Sequence, residues 1–182
     1  MSRVGIYGGT FDPIHLGHLH VITQLIEKNL VDQLLVVPAG MPLLRENAPI
    51  ATGQQRRAMC QLALADLPTE VATKVQVNPI EILRTGPSYA IDTVEAVAQN
   101  YPDDTIVLVI GQDAADKLEQ WHRIDELRAM VEFLVIGRPG FAGNGVDIGA
   151  LDVAATTIRQ GLSADVSSSV AAFIRENNLY DN

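Results

Sequence analysis

The sequence contains little cysteine, no long apolar run and no excess of basic residues, and each shortage excludes a class of protein. Cys60 is the one cysteine among 182 residues, so no disulfide can form within the chain. Because the start also lacks a secretory leader pattern, we expect a reducing, cytoplasmic setting. No apolar run approaches the roughly 20 residues that span a bilayer, so we expect no membrane partner.

The charge balance is acidic, with 13 Lys and Arg against 22 Asp and Glu and a formal net charge of −9. A nucleic-acid partner requires a basic surface, so we expect no nucleic acid. A small phosphorylated ligand is compatible with this acidity, because it needs only a local cluster of donors and Mg²⁺ can supply part of the positive charge. With 47% hydrophobic residues, the composition is that of a globular protein.

Segments with the length of β-strands alternate with helical patterns along the chain. The strand segments are Val4–Tyr7, Leu34–Val37, Val75–Val77, Ile106–Ile110 and Phe133–Ile136. The helical patterns fall at Leu19–Ile26, Met59–Ala63, Ile91–Val97 and Val170–Ile174. Several strands are apolar on both faces, which is typical of a parallel sheet covered by helices on both sides. The alternation predicts an α/β fold with a doubly wound, mostly parallel sheet, in which ligands bind beyond the carboxyl ends of the strands.

The remaining stretches predict loops within one domain. Residues 38–53 and 137–149 are rich in proline, glycine or alanine and lack periodicity. No internal repeat and no interdomain linker interrupts the chain. We therefore expect a single domain over residues 1–182, with a small helical part at about 155–182.

The segment Gly8–His18 follows the first predicted strand and is the main candidate for a reaction centre. Its glycines let the backbone approach a phosphate, and a helix start near Gly17 offers free N–H groups and a positive dipole end. His15 and His18 lie three residues apart, so both imidazoles can stabilise charge that develops on one phosphorus. The alternative is a turn histidine followed by a helix-cap histidine. Neither of the two commoner glycine-rich nucleotide signatures occurs in the chain.

This segment resembles the first motif of the nucleotidyltransferase superfamily that is named for its His-x-Gly-His sequence. Within that superfamily the whole chain is similar to the bacterial nicotinate-nucleotide adenylyltransferases, because four later blocks follow in the family's order. These blocks are Gly86–Thr93, Gly111–Trp121, Gly137–Gly140 and Thr156–Arg159. The resemblance implies a Rossmann-like fold and transfer of the AMP moiety of ATP to nicotinate mononucleotide, a step of NAD biosynthesis.

The resemblance also implies a role for each matched residue. The catalytic residues are His15, His18 and Arg159. The residues that bind ATP and its phosphates are Gly8, Gly9, Thr10, Phe11, Gly111, Asp113, Arg138 and Thr156. The residues that bind the mononucleotide are Ser88, Tyr89, Ala90, Trp121 and Arg45, with Trp121 stacked on the pyridine ring. Mg²⁺ is expected to arrive on the triphosphate, without a dedicated protein site, and a homo-oligomer is compatible with the family.

Several of these residues also have a purely structural interpretation. Arg159, expected at the start of a short helical stretch, is alternatively a surface arginine. Trp121 is alternatively a core residue, and Asp113 alternatively caps the helix that follows it. His20 and His122 match no motif and are expected to be solvated.

The chain departs from the family's pattern at three places. Met41–Arg45 replaces the usual Pro-Pro-His-Lys, so Leu43-Leu44 stand near the missing histidine and Arg45 stands for the lysine. Ala154-Ala155 replaces two serines of the last motif, and Ala90 replaces a threonine. Two alternatives therefore stay open. One is a sister adenylyltransferase that uses nicotinamide mononucleotide or another phosphorylated substrate, and the other is a nucleotide-binding protein with lost or weakened turnover.

Overall fold

A computed structural model of the chain describes residues 1–40, 48–137 and 145–180. Within these residues the protein is a five-stranded sheet in which every pair of neighbouring strands is parallel. The strands are β1 (Arg3–Gly9), β2 (Gln33–Pro38), β3 (Val75–Val77), β4 (Thr105–Gly111) and β5 (Glu132–Ile136). Each of the five predicted strand segments lies in one of them, and the predicted α/β class is confirmed.

Helices cover the sheet and connect its strands. They are α1 (Leu16–Glu27), α2 (Gly53–Ala65), α3 (Thr69–Ala72), α4 (Ile80–Leu83), α5 (Ala90–Asn100), α6 (Gln112–Ala115), α7 (Ile124–Met130), α8 (Ala155–Arg159) and α9 (Ser168–Glu176), with a short 3₁₀ helix at Leu118–Gln120. The four predicted helical patterns lie in α1, α2, α5 and α9. In the described ranges no helix has both the length and the apolar character to cross a bilayer.

Two apolar layers pack on opposite faces of the sheet, and alternate residues of each strand point into them. Along β2, Leu34 and Val36 belong to the layer under α1, α2 and α9, whereas Leu35 and Val37 belong to the layer under α5 and α7. All four side chains are at most 1% exposed. Burial of such a side chain stabilises the fold by roughly 1.5–3 kcal/mol, which explains why the strands are apolar on both faces.

The strand order places a crevice at one edge of the sheet. The order is β3-β2-β1-β4-β5, so β1 lies in the centre and pairs with β2 on one side and with β4 on the other. Tyr7 of β1 is the partner of both Val36 and Val109. The chain therefore leaves β1 in one direction and returns beside it through β4, which is the topological switch point where open α/β sheets bind ligands.

Candidate active site

A cavity of about 450 Å³ opens at this switch point, beyond the carboxyl ends of β1 and β4. Its wall contains the end of β1, the end of β4, the start of α5 and the segment that follows the 3₁₀ helix. Eight of the residues that the sequence predicted for the site line it: Gly8, Gly9, Thr10, Ser88, Tyr89, Ala90, Gly111 and Trp121. The structure thus brings together the segments predicted to bind ATP and the mononucleotide, which lie up to about a hundred residues apart in the sequence.

The turn after β1 is compact because an aromatic ring packs beneath it. Phe11 adopts a left-handed backbone conformation with φ of 50°, and its ring is 2% exposed. A Cβ atom at Gly9 would lie 2.8 Å from that ring, so the close approach requires glycine. The side chain of Phe11 is therefore a packing group, and the contact that this residue can offer a phosphate is its main chain.

His15 and His18 lie at the start of α1 with their rings stacked 3.7 Å apart between centroids. His15 is the extended residue before the helix, and its N–H donates to Nδ1 of His18 over 3.2 Å. Because Nδ1 of His18 is an acceptor, the proton of the neutral ring is on Nε2. The ring of Phe11 meets that of His18 edge-on at 4.9 Å, which fixes the orientation of the imidazole.

Burial keeps both imidazoles neutral near pH 7. It lowers the pKa of His15 to about 4, with a partial offset from the Asp165 carboxylate. The pKa of His18 is well below its ordinary value, first because of burial and second because His15 is adjacent. Any stabilisation of a phosphate by these rings therefore comes from N–H donors and not from full positive charges.

Arg159 reaches the turn from the other end of the chain. Its Nη1 donates to the carbonyl oxygen of Asp12 over 2.7 Å, and its Nη2 lies 3.2 Å from Oγ1 of Thr156. The expectation that Arg159 starts a helical stretch is wrong, because it is the last residue of α8. Ala154 and Ala155, at the start of α8, leave too short a run for periodicity to reveal the helix. Because Arg159 is at the C-terminal end of α8, its guanidinium lies against the turn after β1 and beside Thr156.

A buried arginine that was not predicted from the sequence lies behind the turn. Arg56 of α2 is 2% exposed, and its Nη1 donates to the carbonyl oxygen of Thr10 over 2.7 Å while its Nε donates to that of Ala51 over 3.3 Å. The signal for it is its spacing, because it shares a buried helix face with Met59 and Cys60, three and four residues later. A charge on an apolar helix face indicates a buried polar contact.

The opposite wall of the cavity is built on the start of α5. Tyr89 is the N-cap of α5 and its side chain makes no capping hydrogen bond, so the first N–H groups of the helix receive no acceptor from the N-cap side chain. Trp121 lines the cavity, and within the described residues its buried Nε1 has no hydrogen-bond partner. His122, which was expected to be solvated, is exposed but lines the cavity, and its ring lies 4.3 Å from that of Tyr89 at an interplanar angle of 31°.

A second polar cluster, also not predicted from the sequence, supports this wall. The hydroxyl of Thr93 donates to Oε1 of Glu81 over 2.9 Å, and Nη1 of Arg84 donates to the same hydroxyl over 3.3 Å. Burial raises the pKa of Glu81, although hydrogen bonds from Thr93, the Gly40 main chain and Ser88 oppose the shift. Ser88 is therefore tied to Glu81, and the N-cap of α5 is its neighbour Tyr89. The one available signal was an acidic residue inside the apolar run Ile80–Leu83.

The remaining predicted residues divide into two groups. Asp113 is the second residue of α6, whose N-cap is Gly111, so the alternative in which Asp113 caps this helix is wrong. Arg45, Arg138 and the Leu43-Leu44 departure lie outside the described residues. In the ranges 1–40, 48–137 and 145–180, no group of three or more His, Cys, Asp or Glu side chains is placed to hold a metal ion.

The fold and this site define a nucleotidyltransferase, and the model of the Cytidylyltransferase-like family matches residues 6–172. The chain is 34% identical to the probable nicotinate-nucleotide adenylyltransferase of Shouchella clausii (strain KSM-K16), with 99% of this chain and 97% of that protein covered. It is 30% identical to the nicotinate-nucleotide adenylyltransferase of Bacillus subtilis (strain 168), with 100% of both proteins covered. The chain belongs to the nicotinate-nucleotide adenylyltransferase family, which confirms the resemblance seen in the motifs.

Solved structures support the fold over the same length. The Plasmodium falciparum nicotinic acid mononucleotide adenylyltransferase complexed with NaAD superposes with a TM-score of 0.84 at 18% identity, covering 100% of this chain and 98% of that one. A putative nicotinate-nucleotide adenylyltransferase from Vibrio parahaemolyticus superposes with a TM-score of 0.72 at 20% identity, covering 99% and 96%. At these identities the likeness establishes the architecture.

Proposed function

We propose that this protein transfers the AMP moiety of ATP to nicotinate mononucleotide, giving nicotinate adenine dinucleotide and pyrophosphate in NAD biosynthesis. The observation that carries the proposal is the cavity at the switch point. One wall of this cavity is the glycine-rich turn after β1, which is of the kind that binds phosphate. The other wall is the start of α5 together with Trp121. A reaction between two nucleotides needs two such subsites that share one phosphate region.

The ATP half of the site is assigned to the turn and to the end of α8. The main chain at Gly8–Phe11 and the hydroxyl of Thr10 bind the α-phosphate region, and Thr156 and Arg159 bind the β- and γ-phosphates. An arginine is suited to this role because its planar guanidinium can donate to two phosphate oxygens at once. Gly111, Asp113 and Arg138 complete the nucleotide wall.

The mononucleotide half is assigned to α5 and its surroundings. Tyr89 and Ala90 present free main-chain N–H groups to the pyridine substituent, and the Trp121 indole stacks on the ring. Ser88, held by Glu81, keeps the turn before α5 in place. Arg45 is assigned to the mononucleotide phosphate, in the position of the family's lysine.

The chemistry is an in-line displacement at the α-phosphorus of ATP. A phosphate oxygen of the mononucleotide forms the new bond to that phosphorus, the bond from the phosphorus to the bridging oxygen breaks, and pyrophosphate leaves with the electron pair. The attacking oxygen is already anionic, so no general base is required and catalysis depends on positioning and charge stabilisation. The Nε2–H of His18 donates to the α-phosphate oxygens as charge develops on them.

Mg²⁺ enters this scheme as part of the substrate, bound to the triphosphate. The groups assigned to the phosphates are the imidazoles of His15 and His18, the Arg159 guanidinium, hydroxyls and main-chain N–H groups, and these donate to phosphate oxygens, whereas Mg²⁺ takes oxygen ligands. An ion held mainly by the triphosphate and by water fits this set of side chains. It would neutralise charge on the leaving pyrophosphate.

A pyrophosphate-release assay of the intact protein tests the proposal. ATP and Mg²⁺ are combined in turn with nicotinate mononucleotide, nicotinamide mononucleotide and phosphopantetheine, and the products are identified by mass. We expect nicotinate mononucleotide to be the best substrate. Greater release with another mononucleotide would favour a sister adenylyltransferase, and ATP binding without release from any of them would favour a nucleotide-binding protein that has lost turnover.

A further inference from the structure

We propose that Tyr180 is a positioning residue of the reaction centre, because its hydroxyl holds the buried Asp12 carboxylate and thereby the turn that carries Thr10 and contacts Arg159. This inference rests on the proposed function for its kinetic consequence. It assigns a role to a residue near the C-terminus, more than 160 residues along the chain from the turn.

Hydrogen bonds of Asp12 connect the turn after β1 to three distant parts of the chain. Its carboxylate is 2% exposed and accepts from the main-chain N–H of Ile50 over 2.9 Å and of Ala51 over 3.1 Å. The hydroxyl of Tyr180 donates to Oδ1 over 2.8 Å, and the Asp12 carbonyl oxygen accepts from Arg159. The residue that follows the strained Phe11 backbone is thus held from the segment before α2, from α8 and from the C-terminal segment.

The C-terminal segment is bent so that the phenol reaches Asp12. Asn178 and Tyr180 both have left-handed backbone conformations, with φ of 48° and 66°. Such conformations are unfavourable for residues other than glycine and persist where surrounding contacts hold them. Leu179 between them is 8% exposed in the core layer under α9, which anchors the bend.

The electrostatic setting keeps the phenol in the donating form. Burial raises the pKa of Tyr180, and its hydrogen bond to Asp12 and the negative charge of that carboxylate raise it further. The hydroxyl is therefore protonated at all physiological pH values. Loss of it would leave a buried carboxylate oxygen with one donor fewer, next to the charged Arg56 and Arg159.

The kinetic consequence follows from what Asp12 touches. A carboxylate that loses its phenol donor will be drawn toward a neighbouring guanidinium, which shifts the turn that presents Thr10 and the arginine bound to the Asp12 carbonyl. The substrates keep most of their binding contacts, so the fall is expected mainly in kcat and not in KM.

The test compares Tyr180→Phe with the control Tyr101→Phe in the intact protein. Both changes remove one hydroxyl and keep the ring, but Tyr101 packs on the opposite face of the sheet, and its hydroxyl lies 3.4 Å from Nε2 of the exposed Gln76. We expect kcat of Tyr180→Phe to fall about tenfold, with KM for ATP and for the mononucleotide changed less than threefold, and Tyr101→Phe to match the unmodified protein.

Two further measurements separate positioning from general damage. If Tyr180 acts through Asp12, the double variant Tyr180→Phe/Asp12→Asn will have a kcat no lower than Asp12→Asn alone. Hydrogen exchange should become faster at main-chain amides of residues 10–15 and 50–52 in Tyr180→Phe and not in Tyr101→Phe. Unchanged kcat and unchanged exchange, or kcat effects that multiply in the double variant, would overturn the inference.

Failure of the proposed function gives a different result. In that case the unmodified protein releases no pyrophosphate with nicotinate mononucleotide, whereas the exchange comparison still reads the effect of Tyr180 on the turn.

Discussion

At the scale of single residues, the orientation of one imidazole controls the expected catalysis. Nδ1 of His18 is occupied by the His15 N–H, so the ring has one donor, Nε2–H, to offer a developing negative charge. His18→Ala removes this donor and should lower kcat by roughly 10²–10³, with a much smaller change in KM because other groups hold the substrates. Steady-state kinetics with both substrates varied provides the measurement.

The matched control for this variant is His20→Ala. His20 lies on the same helix two residues later, and its Nε2 contacts the Ile148 carbonyl oxygen at 2.8 Å, away from the turn. Its kcat should equal that of the unmodified protein. A near-normal kcat for His18→Ala would mean that His18 serves packing alone and that the reaction centre lies elsewhere.

Arg159 should act on ATP and on the leaving group. Arg159→Ala deletes a charged donor, and a hydrogen bond to a charged partner contributes roughly 1.5–3 kcal/mol. We expect a higher KM for ATP together with a lower kcat, and little change in KM for the mononucleotide. The exposed Arg175 of α9 supplies the control Arg175→Ala. Unaltered ATP kinetics in Arg159→Ala would mean that the last motif does not bind the triphosphate.

Residue identity in the site could be predicted from the sequence where a motif is contiguous, and not where a contact is made by packing. Gly8–Thr10 and Ser88–Ala90 were predicted and line one cavity. Arg56 and Glu81 were not, because a charged residue at an apolar position of the pattern can indicate burial but not its partner. The Tyr180 to Asp12 contact joins the two ends of the chain, and no local pattern encodes such a pairing.

At the scale of the element, we expect the start of α5 to determine which pyridine substituent is preferred. The side chain of Tyr89, its N-cap, makes no capping hydrogen bond, and this positive dipole end of the helix lies at the cavity, which Tyr89 and Ala90 line. A carboxylate accepts from two such groups, whereas an amide offers one acceptor and places its own donors against them. Such a mismatch costs on the order of 1–3 kcal/mol, so kcat/KM for nicotinate mononucleotide should exceed that for nicotinamide mononucleotide by at least roughly tenfold.

Both mononucleotides compared at saturating ATP give this ratio directly. Ala90, where the family has a threonine, should contribute little to it, because the assigned donors are main-chain groups. An Ala90→Thr variant is the matched test of that statement. Equal or reversed efficiency for the two mononucleotides would contradict the assignment of α5.

Elements of different lengths were predictable to different degrees. The four longer helices α1, α2, α5 and α9 have 9 to 13 residues, enough for an apolar face to repeat. Helices α3, α4 and α6 have four residues each and α8 has five, which is too short for a period of 3.6 to be seen. The position of Arg159 was mistaken for this reason.

At the scale of the whole molecule, the buried imidazoles make the free energy of unfolding depend on pH. The pKa of His15 is about 4 in the folded protein and about 6.5 in an unfolded chain. Between these values the unfolded state binds more protons, so stability rises with pH through this window and is lost as pH falls from 6.5 toward 4. The contribution of His15 should be about 2–4 kcal/mol, and His18 adds in the same direction.

Urea unfolding at pH 7.5 and at pH 4.5 measures this dependence. His15→Asn keeps a polar side chain but cannot titrate, so the difference in stability between the two pH values should be smaller in the variant. Most other titrating groups are common to both proteins and cancel in the comparison, but the pKa of His18 also loses the lowering effect of the adjacent His15, which reduces the pH dependence in the same direction. An identical pH dependence in the two proteins would show that the His15 pKa is not lowered on folding.

The α/β architecture could be predicted from the alternation of strand and helix segments and from the apolar strands. The order of the strands in the sheet could not. Nothing local in β1 indicates that it lies between β2 and β4, since pairing depends on contacts between segments about a hundred residues apart. The rule that ligands bind beyond the carboxyl ends of the strands nevertheless agrees with the position of the cavity that Gly8, Gly9 and Thr10 line.

The buried thiol of α2 can report how often this helix separates from the core. Cys60 is 0% exposed, and burial raises its pKa to about 12, so the reactive thiolate is suppressed while α2 stays docked. Arg56, one turn earlier on the same face, holds the Thr10 carbonyl oxygen. The rate at which this single cysteine is alkylated therefore reports how often α2 separates from the core. The turn loses the support of Arg56 in the same event. A substrate that binds only when the turn is intact should therefore slow the alkylation of Cys60, although it does not contact that residue.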